Sequence, residues 1–167
     1  MEFRKTVESD IDRIMMIIKQ AQLYFKQNGI DQWQDNYPNR QTFKQDIANG
    51  CSYVLEKEGK IIGTSVISFD EEVTYRNIYD GQWLSTGDSA VIHRLAVDSQ
   101  YKGLGISSVI MKQAERMCAE KHIHSIKVDT HEENMPMQRL LEKNGFTYCG
   151  VIYLQNNSKR VAFEKII

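Results

Sequence analysis

The segment Gln100-Tyr101-Lys102-Gly103-Leu104-Gly105 is where residue types and spacing first suggest chemistry. It follows an apolar run ending at Val97 and opens an amphipathic stretch that continues to Lys121. A glycine-rich turn at the start of a helix presents amide N–H groups without intrahelical partners, together with the positive end of the helix dipole. Such a place suits an anion, and a pyrophosphate in particular. Gly103 and Gly105 put no side chain between the backbone and a phosphate. A Walker loop needs Lys-Ser/Thr directly after its second glycine, whereas Ile106-Ser107 follows here, so ATP fits poorly. A dinucleotide fingerprint needs a third glycine near the start of a βαβ unit, which is also missing. A glycine turn that holds no ligand is the plain alternative.

Two further sets of residues could take part in a reaction. His93 lies two residues before Leu95, so a regular strand would place it on the same face as Leu95 and Val97. Histidine is the side chain best suited to move protons near neutral pH. A histidine satisfied inside the sheet is the alternative. Aromatic residues gather ahead of this strand: Trp33, Tyr37, Tyr75, Tyr79 and Trp83, with Asp31, Asp35, Glu71 and Glu72 among them. Aromatic faces stack on rings and cations, and carboxylates attract cations. Packing of loop against core, and ordinary solvated charge, would account for them equally. Metal-ligand spacing is absent. Cys51, Cys118 and Cys149 stand far apart, and three free thiols fit a reducing cytosol.

The elements that must position these residues follow from periodicity. Residues 2–6 alternate as a strand. Glu8 to Lys26 repeats apolar residues at helical spacing, with Ser9 or Asp10 as cap and Asn28-Gly29 as stop. A loop through Pro38 leads to a short helix over 40–48 capped by Asn39. Strands are expected over Cys51–Lys57 and Lys60–Phe69, joined by a Glu58-Gly59 turn. Residues 70–87 read as irregular. A strand over Ser89–Val97, a helix over Gly103–Lys121, a strand over Ile123–Thr130 and a helix over Met135–Lys143 capped by Asn134 come next. Strands over Phe146–Leu154 and Arg160–Ile167 close the chain. The order β-α-α-β-β-β-α-β-α-β-β makes an α/β (α+β) fold, with a mixed sheet flanked by helices and a right-handed parallel crossover around the Gly103 helix.

Length and composition agree with this frame. The 167 residues suit one domain, 1–167. Lys and Arg total 21 against 22 Asp and Glu, for a net charge of −1, which leaves no basic excess for nucleic acid. The N-terminus shows no signal sequence and no apolar run approaches the length of a membrane span, so the expectation is a cytoplasmic protein without a membrane partner.

The stretch Leu95-Ala96-Val97 followed by Gln100 through Gly105 resembles the signature of the GNAT N-acetyltransferase superfamily. A second stretch, Asn134 and then Leu140-Leu141-Glu142-Lys143-Asn144-Gly145-Phe146, resembles a later motif of that family. The resemblance covers nearly the whole order of elements. It implies a GNAT-like acyl-CoA N-acyltransferase fold with a central, mostly antiparallel mixed sheet. It implies acetyl-CoA as donor and no metal. The strands ending near Val97 and starting near Ile123 would splay, with the pantetheine arm on the backbone of Leu95, Ala96 and Val97. The amides of Lys102, Gly103, Leu104, Gly105, Ile106 and Ser107 would hold the pyrophosphate. Asn134 would contact the arm near the sulfur, and Lys143 would reach a phosphate unless it is a solvated surface lysine.

The same resemblance places His93 as general base, as in members that acetylate arylalkylamines. Many members carry a tyrosine general acid where this chain has Leu141, which cannot donate a proton. Tyr148 is the replacement, unless the thiolate leaves unaided. The acceptor pocket would involve Trp33, Tyr37, Tyr79 and Trp83. The expected activity is N-acetyl transfer to a primary amine of a small molecule or a protein. The alternatives are a non-catalytic acyl-CoA sensor and a nucleotide-binding protein. Monomer and homodimer both stay open, although family members often dimerise.

Overall fold

The computed structural model describes all residues, 1–167. The elements in chain order are β1 (Glu2–Lys5), α1 (Ile11–Gln27), α2 (Arg40–Ala48), β2 (Ser52–Lys57), β3 (Lys60–Ser68), β4 (Ala90–Val97), α3 (Ile106–Glu120), β5 (Ser125–Thr130), α4 (Met135–Lys143), β6 (Thr147–Tyr153) and β7 (Lys159–Ile166). The seven strands follow the order β1-β2-β3-β4-β5-β7-β6. β4 and β5 pair in parallel, and β1-β2, β2-β3, β5-β7 and β6-β7 are antiparallel. This is the expected mixed sheet and the expected order of elements. No helix is long and apolar enough to cross a membrane. The chain divides into two compact units: Met1–Ile67 with Arg94–Gln113, and Ser68–His93 with Ala114–Ile167.

In the first unit, Ile11, Ile14, Ile17 and Ile18 of α1 are buried with Phe43, Val54, Ile61 and Ala96. Burying such side chains contributes ~1.5–3 kcal/mol each, which turns an amphipathic sequence into a docked helix. Helix α1 ends as Asn28-Gly29 predicts. The Gly29 N–H donates to Lys26 O (3.3 Å) and the Ile30 N–H to Phe25 O (2.9 Å), a Schellman arrangement. Its start differs from expectation. The Asp10 carboxylate accepts from the Val7 N–H (2.8 Å) and binds both Arg4 Nη atoms (2.8 and 3.1 Å), so it reaches back rather than capping α1. A second apolar group, Leu55, Ile62, Ile106 and Ile110, holds the first half of α3.

In the second unit the core includes Tyr75, Val91, Ile152 and Ala162. Residues 70–87 are mostly irregular, as expected, with one short 3-10 turn at Val73–Tyr75. They are nevertheless pinned at two places. Tyr79 and Val151 exchange backbone hydrogen bonds of 2.8 Å. Gly150 permits that approach, because a Cβ there would come within 2.5 Å of Tyr79 O. Farther along, the wholly buried Glu164 accepts from the Leu84 N–H (2.6 Å), the Ser85 N–H (3.3 Å) and hydroxyl, and the Ser125 hydroxyl (2.6 Å). A buried carboxylate is tolerated only when its lone pairs are used in this way. No disulfide joins the three cysteines, and burial pushes the Cys118 thiol up to about 11.

Candidate active site

In the first unit the chain leaves β4 through a braced corner. Asp98 is almost fully buried, pairs with Arg13, and accepts from the Gln100 N–H at 3.0 Å. The Asp98 N–H donates to Ile62 O (2.9 Å), and Gln20 Oε1 accepts from the Ser99 N–H (2.8 Å). After this corner Gly103 and Gly105 adopt φ of 78° and 77°. Left-handed residues cannot continue a right-handed helix, so α3 begins at Ile106 and not at Gly103 as expected. The Val109 N–H donates to Gly105 O at 3.1 Å. The amides of Gly105, Ile106 and Ser107 precede that residue, at the end of the helix where the dipole is positive. A Cβ at Gly103 or Gly105 would meet nothing within 4 Å, and Leu104 is two-thirds exposed. The outer side of the turn is therefore open. Lys102 Nζ sits 5.1 Å from the centre of the Tyr24 ring.

Strand β4 departs from regular geometry next to the expected base. Arg94 has φ of 50°, a left-handed conformation that costs an L-residue ~1–2 kcal/mol. Strict alternation does not run through it, so the shared face expected for His93, Leu95 and Val97 does not follow from spacing alone. The guanidinium offsets this strain. Nε and Nη2 donate to the two oxygens of Asp46 (2.8 and 2.6 Å), and Nη1 donates to the Tyr37 hydroxyl (2.9 Å).

In the second unit the β4-β5 ladder covers only Ala90↔Ile126 and Val91↔Lys127, whereas β5 stays paired with β7 along its whole length. Around His93 stand two carboxylates in different surroundings. Glu72 Oε2 lies 3.4 Å from His93 Nε2. Its other oxygen, Oε1, accepts from the Thr74 hydroxyl (2.7 Å) and the Thr74 N–H (3.4 Å). The contact with His93, reinforced by Thr74, holds the Glu72 carboxyl at about 2, against the opposing effect of partial burial. Asp129 on β5 accepts from the Tyr75 hydroxyl at 2.6 Å. Burial raises its carboxyl above the usual aspartate range, despite the Tyr75 bond and the nearby His93 and Arg160. One carboxylate is thus kept ionised and the other is biased toward holding a proton.

The remaining expected residues are distributed over both units. Tyr148 on β6 is half exposed, its ring edge-on to Phe163 at 5.8 Å. Leu141 is fully buried in α4. Asn134 caps α4 through Oδ1 to the Met137 N–H (3.3 Å), and its Nδ2 donates to the Thr130 hydroxyl (3.2 Å), so much of its amide serves structure. Lys143 is exposed in the last turn of α4. Trp33 packs edge-on against Phe25 at 5.7 Å. Trp83 donates its indole N–H to Tyr75 O (2.9 Å) and lies under Lys127 Nζ at 4.5 Å. Both indoles are engaged in packing. Tyr37 and Tyr79 are 43% and 51% exposed, which leaves them as the accessible pair of the four. The sequence leaves Glu72 open between attraction of a cationic amine and ordinary solvated charge, and gives no sign of its pairing with His93, of Asp129 or of the Arg94-Asp46-Tyr37 group. No short-range pattern announces those pairings. No group of three or more His, Cys, Asp or Glu side chains is arranged to hold a metal ion.

Comparison with known proteins places these features in context. The model of the acetyltransferase (GNAT) family matches residues 16–146. The crystal structure of a GNAT-family acetyltransferase from Streptococcus agalactiae 2603 superposes with a TM-score of 0.90 at 31% identity, over 99% of this chain and 95% of that one. Two curated relatives match over shorter stretches. N-acetylaspartate synthetase of Xenopus tropicalis is 27% identical over 103 residues, which is 61% of this chain and 32% of its own length. A Bacillus subtilis (strain 168) protein named for ribosomal protein bS18-alanine N-acetyltransferase is 26% identical over 98 residues, 59% of this chain and 54% of its own length. The chain therefore spans about half or less of the curated relatives it matches.

Proposed function

The chain belongs to the acetyltransferase (GNAT) family, and from that premise we propose that it transfers the acetyl group of acetyl-CoA to a primary amine of a small molecule or a protein. The observation that supports this reading is the open turn at Gly103–Gly105, two left-handed glycines directly ahead of the start of α3, where the first amides of a helix lack intrahelical partners and suit an anion. Lys102, Gly103, Leu104, Gly105, Ile106 and Ser107 would hold the pyrophosphate by their backbone. Leu95, Ala96 and Val97 would offer the strand on which the pantetheine arm lies. The names of the curated relatives, an N-acetylaspartate synthetase and an alanine N-acetyltransferase, are consistent with an amine acceptor.

In the proposed reaction the amine nitrogen attacks the thioester carbonyl, a C–N bond forms and the C–S bond breaks. His93 takes the proton that the amine must lose, and a backbone N–H of β4 stabilises the oxyanion. The departing thiolate gains a proton from Tyr148 or from solvent, since Leu141 has none to give. Of the four aromatic residues expected to bind the acceptor, Tyr37 and Tyr79 are the more exposed and would be the ones it can reach. The test is release of free thiol from acetyl-CoA against a panel of arylalkylamines, polyamines, amino acids and peptide N-termini. Turnover is expected with at least one class, and His93→Ala should lower kcat/KM by ~10²-fold or more with little change in acetyl-CoA affinity. Tight binding of acetyl-CoA with no turnover on any amine would make the protein a non-catalytic acyl-CoA-binding module instead.

A further inference from the structure

We infer that Glu72 is the positioning residue for His93, fixing the imidazole as its Nε2–H tautomer so that Nδ1 is the atom that accepts the proton of the amine. The inference rests on the reading of His93 as base. It starts from the two oxygens of one carboxylate. Oε1 of Glu72 is anchored by the Thr74 hydroxyl at 2.7 Å and by the Thr74 N–H at 3.4 Å. That leaves Oε2, 3.4 Å from His93 Nε2, as the oxygen turned to the imidazole. An ionised carboxylate only accepts hydrogen bonds, so it favours the ring form that carries its proton on the facing nitrogen. The neutral imidazole then has its lone pair on Nδ1. The distance is longer than the usual 2.7–3.2 Å, as polar contacts of catalytic groups often are until substrate binds.

The anchor itself is local. Glu72 precedes the 3-10 turn Val73–Tyr75 and accepts from its Thr74 amide, so carboxylate and turn hold each other. The same turn carries Tyr75, buried and bonded to Asp129. The titratable groups facing His93 are Glu72 from the segment after β3 and Asp129 from β5, with the cationic Arg160 of β7 acting on Asp129. Asp129 accepts from the Tyr75 hydroxyl through Oδ2, and Glu72 is the carboxylate whose free oxygen reaches the ring, at 3.4 Å from Nε2. After proton transfer the imidazolium carries protons on both nitrogens and Glu72 neutralises its charge. The proton then passes to solvent, so the balance of the transfer is unchanged and no other reactant is needed.

The experiment is long-range ¹H–¹⁵N NMR of the histidine-labelled full chain above neutral pH, where the neutral ring reports which nitrogen bears the proton. The wild type should show His93 predominantly as the Nε2–H form. Glu72→Gln should shift the population toward Nδ1–H and lower kcat by about tenfold or more, with the KM for acetyl-CoA unchanged. Glu72→Asp, which keeps the charge, should restore part of both. A wild-type His93 in the Nδ1–H form would overturn the inference without any variant, as would a Glu72→Gln protein with the wild-type tautomer and kcat. A fully active His93→Ala protein would instead overturn the reading of His93 as base, while the tautomer would still report whether Glu72 orients the ring.

Discussion

Glu72 shows how one residue can couple stability to the site. Its carboxyl is held at about 2, against 4.5 for an ordinary glutamate, first by the contact with His93 and then by Thr74. A depressed carboxylate contributes stability that is fully present above its unfolded value and is lost as pH falls through its folded one. The window for Glu72 is therefore pH 4.5 down to about 2. Urea unfolding across this range should find Glu72→Gln less stable than wild type by about 1 kcal/mol at pH 4.5–5, allowing for solvent screening. The two should converge near pH 2. Curves that stay parallel across the window would show that the contact with His93 contributes nothing to folding. None of this is visible in the chain as written. Glu71-Glu72 reads equally as solvated charge or as attraction for a cationic amine, and the imidazole that Glu72 meets lies beyond a loop whose path depends on Gly150 and Glu164.

At the scale of elements, the helices and strands were legible because apolar spacing and stop signals agree with one another. Asn28-Gly29 and Asn144-Gly145 both end helices through Schellman bonds, as a short-range rule can anticipate. Errors fell where local geometry turns left-handed. The glycine turn was read as the first turn of α3, and the kink at Arg94 was invisible because arginine gives no warning of positive φ. The turn is also the element with the sharpest test. At φ of 77° an L-residue costs ~1–2 kcal/mol, yet a Cβ on Gly105 would strike no protein atom within 4 Å. Gly105→Ala should therefore lower stability by about that amount in thermal unfolding. Calorimetry should show a separate loss of acetyl-CoA affinity, because the methyl group occupies the side where the phosphates would approach. Affinity equal to wild type, measured on folded protein, would remove the phosphate role from this turn and leave it a structural corner.

For the whole molecule, the net charge of −1 supplies no general attraction for a polyanion, so phosphate binding must come from oriented local groups. Oriented amides discriminate by shape as well as charge. The chain lacks the Lys-Ser/Thr pair that grips a triphosphate and the third glycine of a dinucleotide fold, while the turn at Gly103 and Gly105 is open on its outer side, as the proposed pyrophosphate site requires. A ligand that binds only the folded state stabilises it by ~2.7 kcal/mol at 100 times its Kd. For a chain of this length each kcal/mol moves Tm by ~2–4 °C. Acetyl-CoA and coenzyme A should thus raise Tm by about 5–11 °C. ATP and NAD at equal concentration should shift it by a small fraction of that. Coenzyme A lacking its acetyl group should perform nearly as well as acetyl-CoA, because the anion site does not sense the thioester. Equal shifts from ATP or NAD would make this a general nucleotide site and would undercut the assignment of acetyl-CoA as donor. A large shift from acetyl-CoA alone would instead place the dominant contacts at the acetyl group and away from the glycine turn.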